Sequence, residues 1–246
     1  MFNYQILIEY DGTNFVGWQI QKNGHSVQGE IQKILKKFLK HKLIIFGAGR
    51  TDAGVHAIEQ SAHFYTHNRI LDKTKFLNSI NFFLNKKKIT ILDIKNKKKN
   101  FHARYSAKKR IYKYVIINRF SSLSLERKSA WHVRRKLNIE AMKKGAKILE
   151  KTKDFSTFRS SSCTAKSPIK TLEKVRVIKK SNRIEVIFMS KSFLQQQVRS
   201  MVGCIKYLAE GKWDISKFKK IITQKNKIYC APPAPALGLY LLKIRY

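Results

Sequence analysis

Cysteine is scarce in this chain, and what there is carries no pairing pattern. Cys163, Cys204 and Cys230 lie far apart with no C-x-x-C spacing, which argues against a disulfide framework or a zinc knuckle and suits a reducing cytoplasm. Long apolar runs are missing too. No stretch of 18 apolar residues occurs, and the start MFNYQILIEYDG has neither a basic n-region nor a long apolar segment. Neither a membrane span nor a cleaved signal peptide is expected. Acidic side chains are the third scarcity: 15 Asp and Glu face 52 Lys and Arg, a formal charge of +37 at pH 7.

What is present belongs to a packed protein. At 43% hydrophobic and 11% aromatic, 246 residues make one large or two small domains, a chain able to bury roughly 70% of its unfolded surface. A disordered basic tail is excluded as a description of the whole. The 39 lysines against 13 arginines, with abundant Ile and Asn, read in part as AT-rich codon usage and solvated filler. Self-repulsion at such a charge still opposes compaction. The partner that offsets it is a polyphosphate, nucleic acid ahead of an anionic membrane.

Periodicity predicts the elements. Residues 2–10 alternate around Ile6 and Ile8 and end at Asp11-Gly12, a strand and a turn. Ser26 caps a helix whose Val27, Ile31, Ile34, Leu35 and Phe38 recur at helical spacing. Strands are expected at 43–46, 60–66, 89–94 and 112–117, and a helix over 72–84, with the charge run 95–100 read as a solvated turn. Further on, Asn138 caps a helix through Leu149, and Val175 to Phe188 folds as a hairpin about Lys180-Ser-Asn-Arg183. Helices from Leu194 to Leu208, closed by Gly211, and over 214–224 precede a Pro-rich turn and a terminal strand. The order strand, helix, strands, helix, strand occurs twice, with a seam near 108–118. Hairpins and non-consecutive helices predict an α+β fold with a mainly antiparallel sheet and helices on one face, not a parallel Rossmann sheet.

The segment F-G-A-G-R-T-D-A-G-V-H-A, residues 46–57, is the most informative. It has no Lys-Ser/Thr after its glycines and no G-x-G-x-x-G opening a helix, so it is not a phosphate loop. An Asp among glycines is ordinarily a turn residue. Arg50, two residues before Asp52, changes that reading: folded back over the carboxylate, it favours the ionised form, while the glycines let a bulky substrate approach the backbone.

G-R-T-D-A-G-V-H-A-x-x-Q, residues 49–60, resembles the signature of the tRNA pseudouridine synthase A family. The opening I-E-Y-D-G-T, G-W-Q at 17–19, F-H-A-R-Y-S-A at 101–107, Tyr112-Lys-Tyr, D-F-S-T-F-R at 154–159, Val198-Arg199 with Met201-Val-Gly, Ala231-Pro-Pro and Gly238-Leu-Tyr-Leu resemble further family motifs. The resemblance therefore runs from the first strand to the last. It implies two ferredoxin-like or RRM-like halves sharing the sheet, residues 1–107 carrying the aspartate loop and 108–246 completing the active-site cleft. It also implies that Asp52 is the nucleophile, that Arg50 pairs with it, and that Tyr112 and Arg199 are the active-site tyrosine and arginine. Core packing is the competing role for Tyr112, and a phosphate contact on a helix surface for Arg199. Gln195-Gln-Gln197 and Ser200 depart from the family pattern, which has His or Asn and then Met before Val-Arg and commonly Asn after it.

The implied activity is isomerisation of uridine to pseudouridine in the anticodon stem-loop of tRNA, at positions 38, 39 and 40, by a cytoplasmic homodimer that uses neither metal nor cofactor. One carboxylate is enough for this chemistry, unlike the two of a glycosidase. Cations interleaved with aromatics mark Arg104, Arg110, Phe158 and Arg159, beside Tyr112, as substrate-binding candidates. His56, His63 and His67, on mixed faces and without a Cys or carboxylate companion, read as non-ligands. The alternative from another class is a non-catalytic tRNA-binding or RNA-folding protein on the same scaffold.

Overall fold

A computed structural model describes all residues, Met1–Tyr246. The chain forms two compact units, Met1–Arg110 with Tyr240–Tyr246, and Ile111–Leu239.

The first unit opens with β1 (Phe2–Tyr10), whose Tyr4, Ile6 and Ile8 are fully buried. Helix α1 (Val27–Leu39) starts at Ser26, whose Oγ accepts the Gly29 N–H at 3.2 Å. It buries Val27, Ile31, Leu35 and Leu39, the stripe that the 3.6-residue period dictates. The short β2 (Ile45–Gly47) and long β3 (His56–Thr66) follow, then α2 (Lys73–Leu84), capped by Asp72, and β4 (Ile89–Lys97). Strand β2 starts two residues later than the apolar run, and α1 holds its first residue: Gln32 Oε1 accepts the Ile45 N–H at 3.0 Å, and Gln28 Nε2 donates to the Ile45 carbonyl at 2.8 Å. Strand β4 runs on through Lys97 where the charge run predicted a turn, with Lys95, Asn96 and Lys97 opposite Gln5, Tyr4 and Asn3. Backbone pairing is indifferent to side-chain charge, and lysines suit an edge strand because they discourage further pairing.

In the second unit, β5 (Lys109–Asn118) and β6 (Trp131–Val133) precede α3 (Ile139–Leu149), capped by Asn138. Then come β7 (Lys151–Asp154), β8 (Ile169–Lys180) and β9 (Arg183–Ser190), with Ser181 at φ 52° in the hairpin turn. Helices α4 (Gln197–Ala209) and α5 (Ile215–Thr223) complete the unit. Helix α4 begins three residues after Leu194 because Gln197 Oε1 accepts the Leu194 N–H at 2.8 Å, making the helix's own first side chain the cap of the preceding turn. Gly145 of α3 lies so close to α4 that a Cβ there would stand 2.8 Å from Leu208. The last strand, β10 (Leu239–Arg245), pairs with β3 of the first unit, Tyr240 opposite His56 and Leu241 opposite Ala57.

Strand order is β4-β1-β3-β10 in the first unit and β5-β9-β8-β7 in the second. The pairs β1/β3, β1/β4, β2/β3, β7/β8 and β8/β9 are antiparallel, and only β3/β10 and β5/β6 among the registered pairs are parallel. The fold is therefore α+β and mainly antiparallel, as the pattern predicts. Strands β6 and β7 escape prediction, the first a three-residue stub and the second a polar K-T-K-D without apolar alternation. No helix is long and apolar enough to cross a membrane.

Candidate active site

Asp52 lies on the connection from β2 to β3, and the backbone on either side of it is tied down. Thr51 Oγ1 shares a 2.8 Å hydrogen bond with the Tyr10 hydroxyl, and its carbonyl accepts the Trp18 N–H at 3.1 Å. The Asp52 carbonyl accepts from Val55 at 3.2 Å, and the Gly54 N–H donates to Phe15 at 3.3 Å. On the upstream side Gln60 Nε2 donates to the Gly49 carbonyl at 2.8 Å. The loop after β1 is the brace. At Gly17, φ is +117° and a Cβ would stand 2.5 Å from the Thr51 carbonyl oxygen, so only glycine lets the two loops touch.

That brace is itself fixed by Asp11. Its carboxylate takes the Thr13 N–H at 3.0 Å and the Thr13 hydroxyl at 2.5 Å, and lies 3.2 Å from both Lys88 Nζ and His56 Nδ1. Burial opposes ionisation, but the Thr13 hydroxyl and N–H and the Lys88 ammonium outweigh it and hold the Asp11 pKa down at about 2. The outcome at the loop's tip is a half-buried Asp52 beside an exposed Arg50. A carboxylate on a rigid backbone that still meets solvent is able to reach a substrate atom.

Arg110 secures the same loop from another side. Its Nε and Nη2 donate to the Ala48 carbonyl at 3.1 and 2.7 Å, and Nη2 also reaches the Arg104 carbonyl at 2.9 Å. The structure thus brings Arg104, Arg110 and the Asp52 loop together. Arg104 is exposed and lies over the Tyr105 ring, 5.7 Å from its centroid, and Tyr105 in turn packs on His102 at 4.4 Å. His102 meets His63 at 4.6 Å, and His63 stacks on the part-exposed Phe46 at 5.1 Å. Sequence reasoning misses this run of rings: F-H-A-R-Y-S holds two members, but nothing local shows that β3 delivers His63 between them. Burial and the neighbouring His102 hold His63 down at about 4, so it is neutral at pH 7.

In the second unit, Tyr112 is buried at 8% exposure with its ring edge-on to Phe193 at 5.1 Å. Tyr114, two residues on, is wholly buried and donates to the Pro235 carbonyl at 2.7 Å; burial pushes its phenol far up and keeps the proton in place. Arg199, half-exposed in the first turn of α4, donates Nε–H to the Ala234 carbonyl at 2.8 Å, while the Ala234 N–H donates back to the Arg199 carbonyl at 3.0 Å. The 231–235 segment thus joins the tyrosine strand to the arginine helix.

Phe158 is fully buried against Phe155, and its place is in the core, away from any substrate surface. Arg159, half-exposed, instead lines a polar pocket of about 440 Å³ with Ser156, Ser160, Lys225 and Lys227. The departures from the family pattern have local roles: Gln197 caps, and Ser200 Oγ receives Lys227 Nζ at 2.6 Å. The three histidines go separate ways. His56 accepts the Gly12 N–H at 3.1 Å and stacks on Tyr240, His63 accepts the Ala103 N–H at 3.1 Å, and His67 meets His41.

A family model described as tRNA pseudouridine synthase matches residues 6–106 and again 146–246. Among relatives, a tRNA pseudouridine synthase A of Pelagibacter ubique is 62% identical over 246 residues, covering all of both chains. Proteins of the same name from Parvibaculum lavamentivorans and Methylocella silvestris are 42% and 43% identical over 246 residues, covering all of this chain and 100% and 99% of theirs.

Proposed function

The chain belongs to the tRNA pseudouridine synthase family and isomerises uridine to pseudouridine in tRNA; from that premise we propose that Asp52 is its reacting carboxylate and the anticodon stem-loop, at positions 38, 39 and 40, its target. The observation that carries the assignment is the loop 47–54, which offers one half-buried carboxylate on a backbone tied through Thr51 to both Tyr10 and Trp18.

Pseudouridine formation breaks the bond from C1′ to N1, turns the uracil within the pocket, joins C1′ to C5 and releases the C5 proton. The ionised Asp52 either adds to C1′ or takes the 2′ proton to leave a glycal; each needs one carboxylate and a site without water. Arg50 orients that carboxylate, Arg199 supports negative charge, and Tyr112 stacks on the base and relays the C5 proton, its hydroxyl passing its own proton on as it accepts the new one. Arg104 and Arg159 contact the RNA, and Arg110 acts by positioning the loop. A uridine in a stem must be flipped out, at a cost of a few kcal/mol that phosphate contacts offset. Homodimerisation and a cytoplasmic location belong to the same proposal and are supported by the resemblance.

The test is tritium release from tRNA labelled at uridine C5. Wild type releases tritium, whereas Asp52→Asn releases on the order of 10³-fold less or none and still binds tRNA. Equal release from both proteins removes Asp52 from the reaction. Mapping pseudouridine on host tRNA with and without the protein then decides the positions, and a product outside 38–40 overturns the stem-loop assignment.

A further inference from the structure

Cys204 and Cys230, 26 residues apart in the chain, meet in the second unit with their Sγ atoms 3.5 Å apart. Cys204 is wholly buried on α4, one turn after Ser200, and Cys230 is half-exposed where the 230–235 loop begins. Lys227 Nζ lies 3.8 Å from the Cys230 sulfur while it holds Ser200 Oγ. The loop is seated on the helix: a Cβ at Gly203 would stand 2.1 Å from the Pro232 carbonyl oxygen, and Arg199 and Ala234 exchange two hydrogen bonds. Cys163, in the 159–168 loop, is outside this cluster.

We propose that Cys230 and Cys204 form an oxidative modification site, at which a hydroperoxide oxidises Cys230 and Cys204 resolves the product into an intrachain disulfide. The Cys230 thiolate attacks hydrogen peroxide, the O–O bond breaks, and the sulfur becomes a sulfenic acid as hydroxide departs. The Cys204 sulfur then attacks the Cys230 sulfur. The S–S bond forms, the S–O bond breaks, and the departing hydroxide takes the Cys204 proton to leave as water. The thiolate's own proton, already in solution, neutralises the first hydroxide. Two thiols and one peroxide thus give one disulfide and two waters, with two electrons passing from the sulfurs to the peroxide.

The surroundings divide the labour. A hydrogen bond from the Cys204 thiol, joined by the Lys227 ammonium, lowers Cys230 to about 7, while the same contact and burial push Cys204 up. Cys230 is the attacker and Cys204 the resolving thiol. The sulfurs must close by about 1.5 Å to reach a bond of roughly 2.05 Å, a movement that falls to the loop more than to the packed helix. The disulfide so formed pins the loop to the helix that carries Arg199.

The full-length protein, treated with a few equivalents of hydrogen peroxide and then N-ethylmaleimide, is digested and mapped by mass spectrometry. The expected product is a Cys204–Cys230 crosslinked peptide, two hydrogens lighter than the reduced pair, with Cys163 alkylated. Its rate of formation should rise with pH through a midpoint near 7. In Cys204→Ser, Cys230 should instead be trapped by dimedone as the sulfenic acid. Alkylation of both cysteines without a crosslink, a disulfide through Cys163, or disulfides only between chains overturns the proposal. The wild-type map decides whether or not the variant folds.

Discussion

On the proposed assignment Asp52 depends on neighbours that hold its loop in place, and Arg110 is the clearest of these. Its guanidinium spans the Ala48 and Arg104 carbonyls. Arg110→Ala leaves those acceptors without their donor, a loss of about 1–3 kcal/mol in stability. Turnover should fall more than tRNA affinity does; steady-state kinetics showing a rise in KM alone would make Arg110 a substrate contact after all. His63 gives a second prediction, in pH. Its folded pKa of about 4 lies below the ordinary 6.5, so between those values the unfolded chain binds a proton that the folded chain refuses. Its contribution is complete above pH 6.5 and fades as pH falls toward 4, with a limiting slope of about 1.4 kcal/mol per pH unit. Urea unfolding at pH 7 and pH 5 measures the drop, and His63→Gln should flatten it. An unchanged slope in that variant would place the proton elsewhere, with His102, also lowered by burial, the next candidate.

Elements set the site through the contacts of their connections. The loop after β1 and the loop before β3 are far apart in sequence but share the hydrogen bond from Trp18 to Thr51 and the close approach at Gly17. Gly17→Ala adds one methyl where φ is +117° and the Thr51 oxygen is 2.5 Å away, so the aspartate loop must shift. Displacement of a reacting group by about 1 Å costs roughly 10²-fold in rate. We expect tritium release to fall by that order, with circular dichroism and tRNA binding retained. Full activity in Gly17→Ala would show that the brace does not position Asp52.

For the molecule as a whole, a charge of +37 has two available sources, contact with RNA and codon usage. Salt separates the two. Each cation that displaces a counterion from a phosphate contributes about 0.7–0.9 to the slope of log affinity against log salt. Binding of tRNA should therefore weaken steeply between low and physiological salt, and Arg104→Ala and Arg159→Ala should each lower the slope by about one contact. A flat dependence would assign the excess charge to composition alone.

Most of the elements are legible in the sequence because apolar period and capping residues are local signals: α1, α2, α3 and α5 start where Ser26, Asp72, Asn138 and Asp214 predict. The G-R-T-D-A-G loop stands out by its residue types, and its reading as the aspartate loop comes from the family resemblance. What the sequence cannot carry is which distant segments meet. Strands β6 and β7 exist through their partners, Phe158 turns inward with its core, and His63 enters a run of rings. Likewise Cys204 and Cys230 become a pair only when the Pro-rich loop folds onto α4. Local propensity is a property of neighbours along the chain, whereas these contacts arise from long-range packing, so they were decided only once the chain had folded.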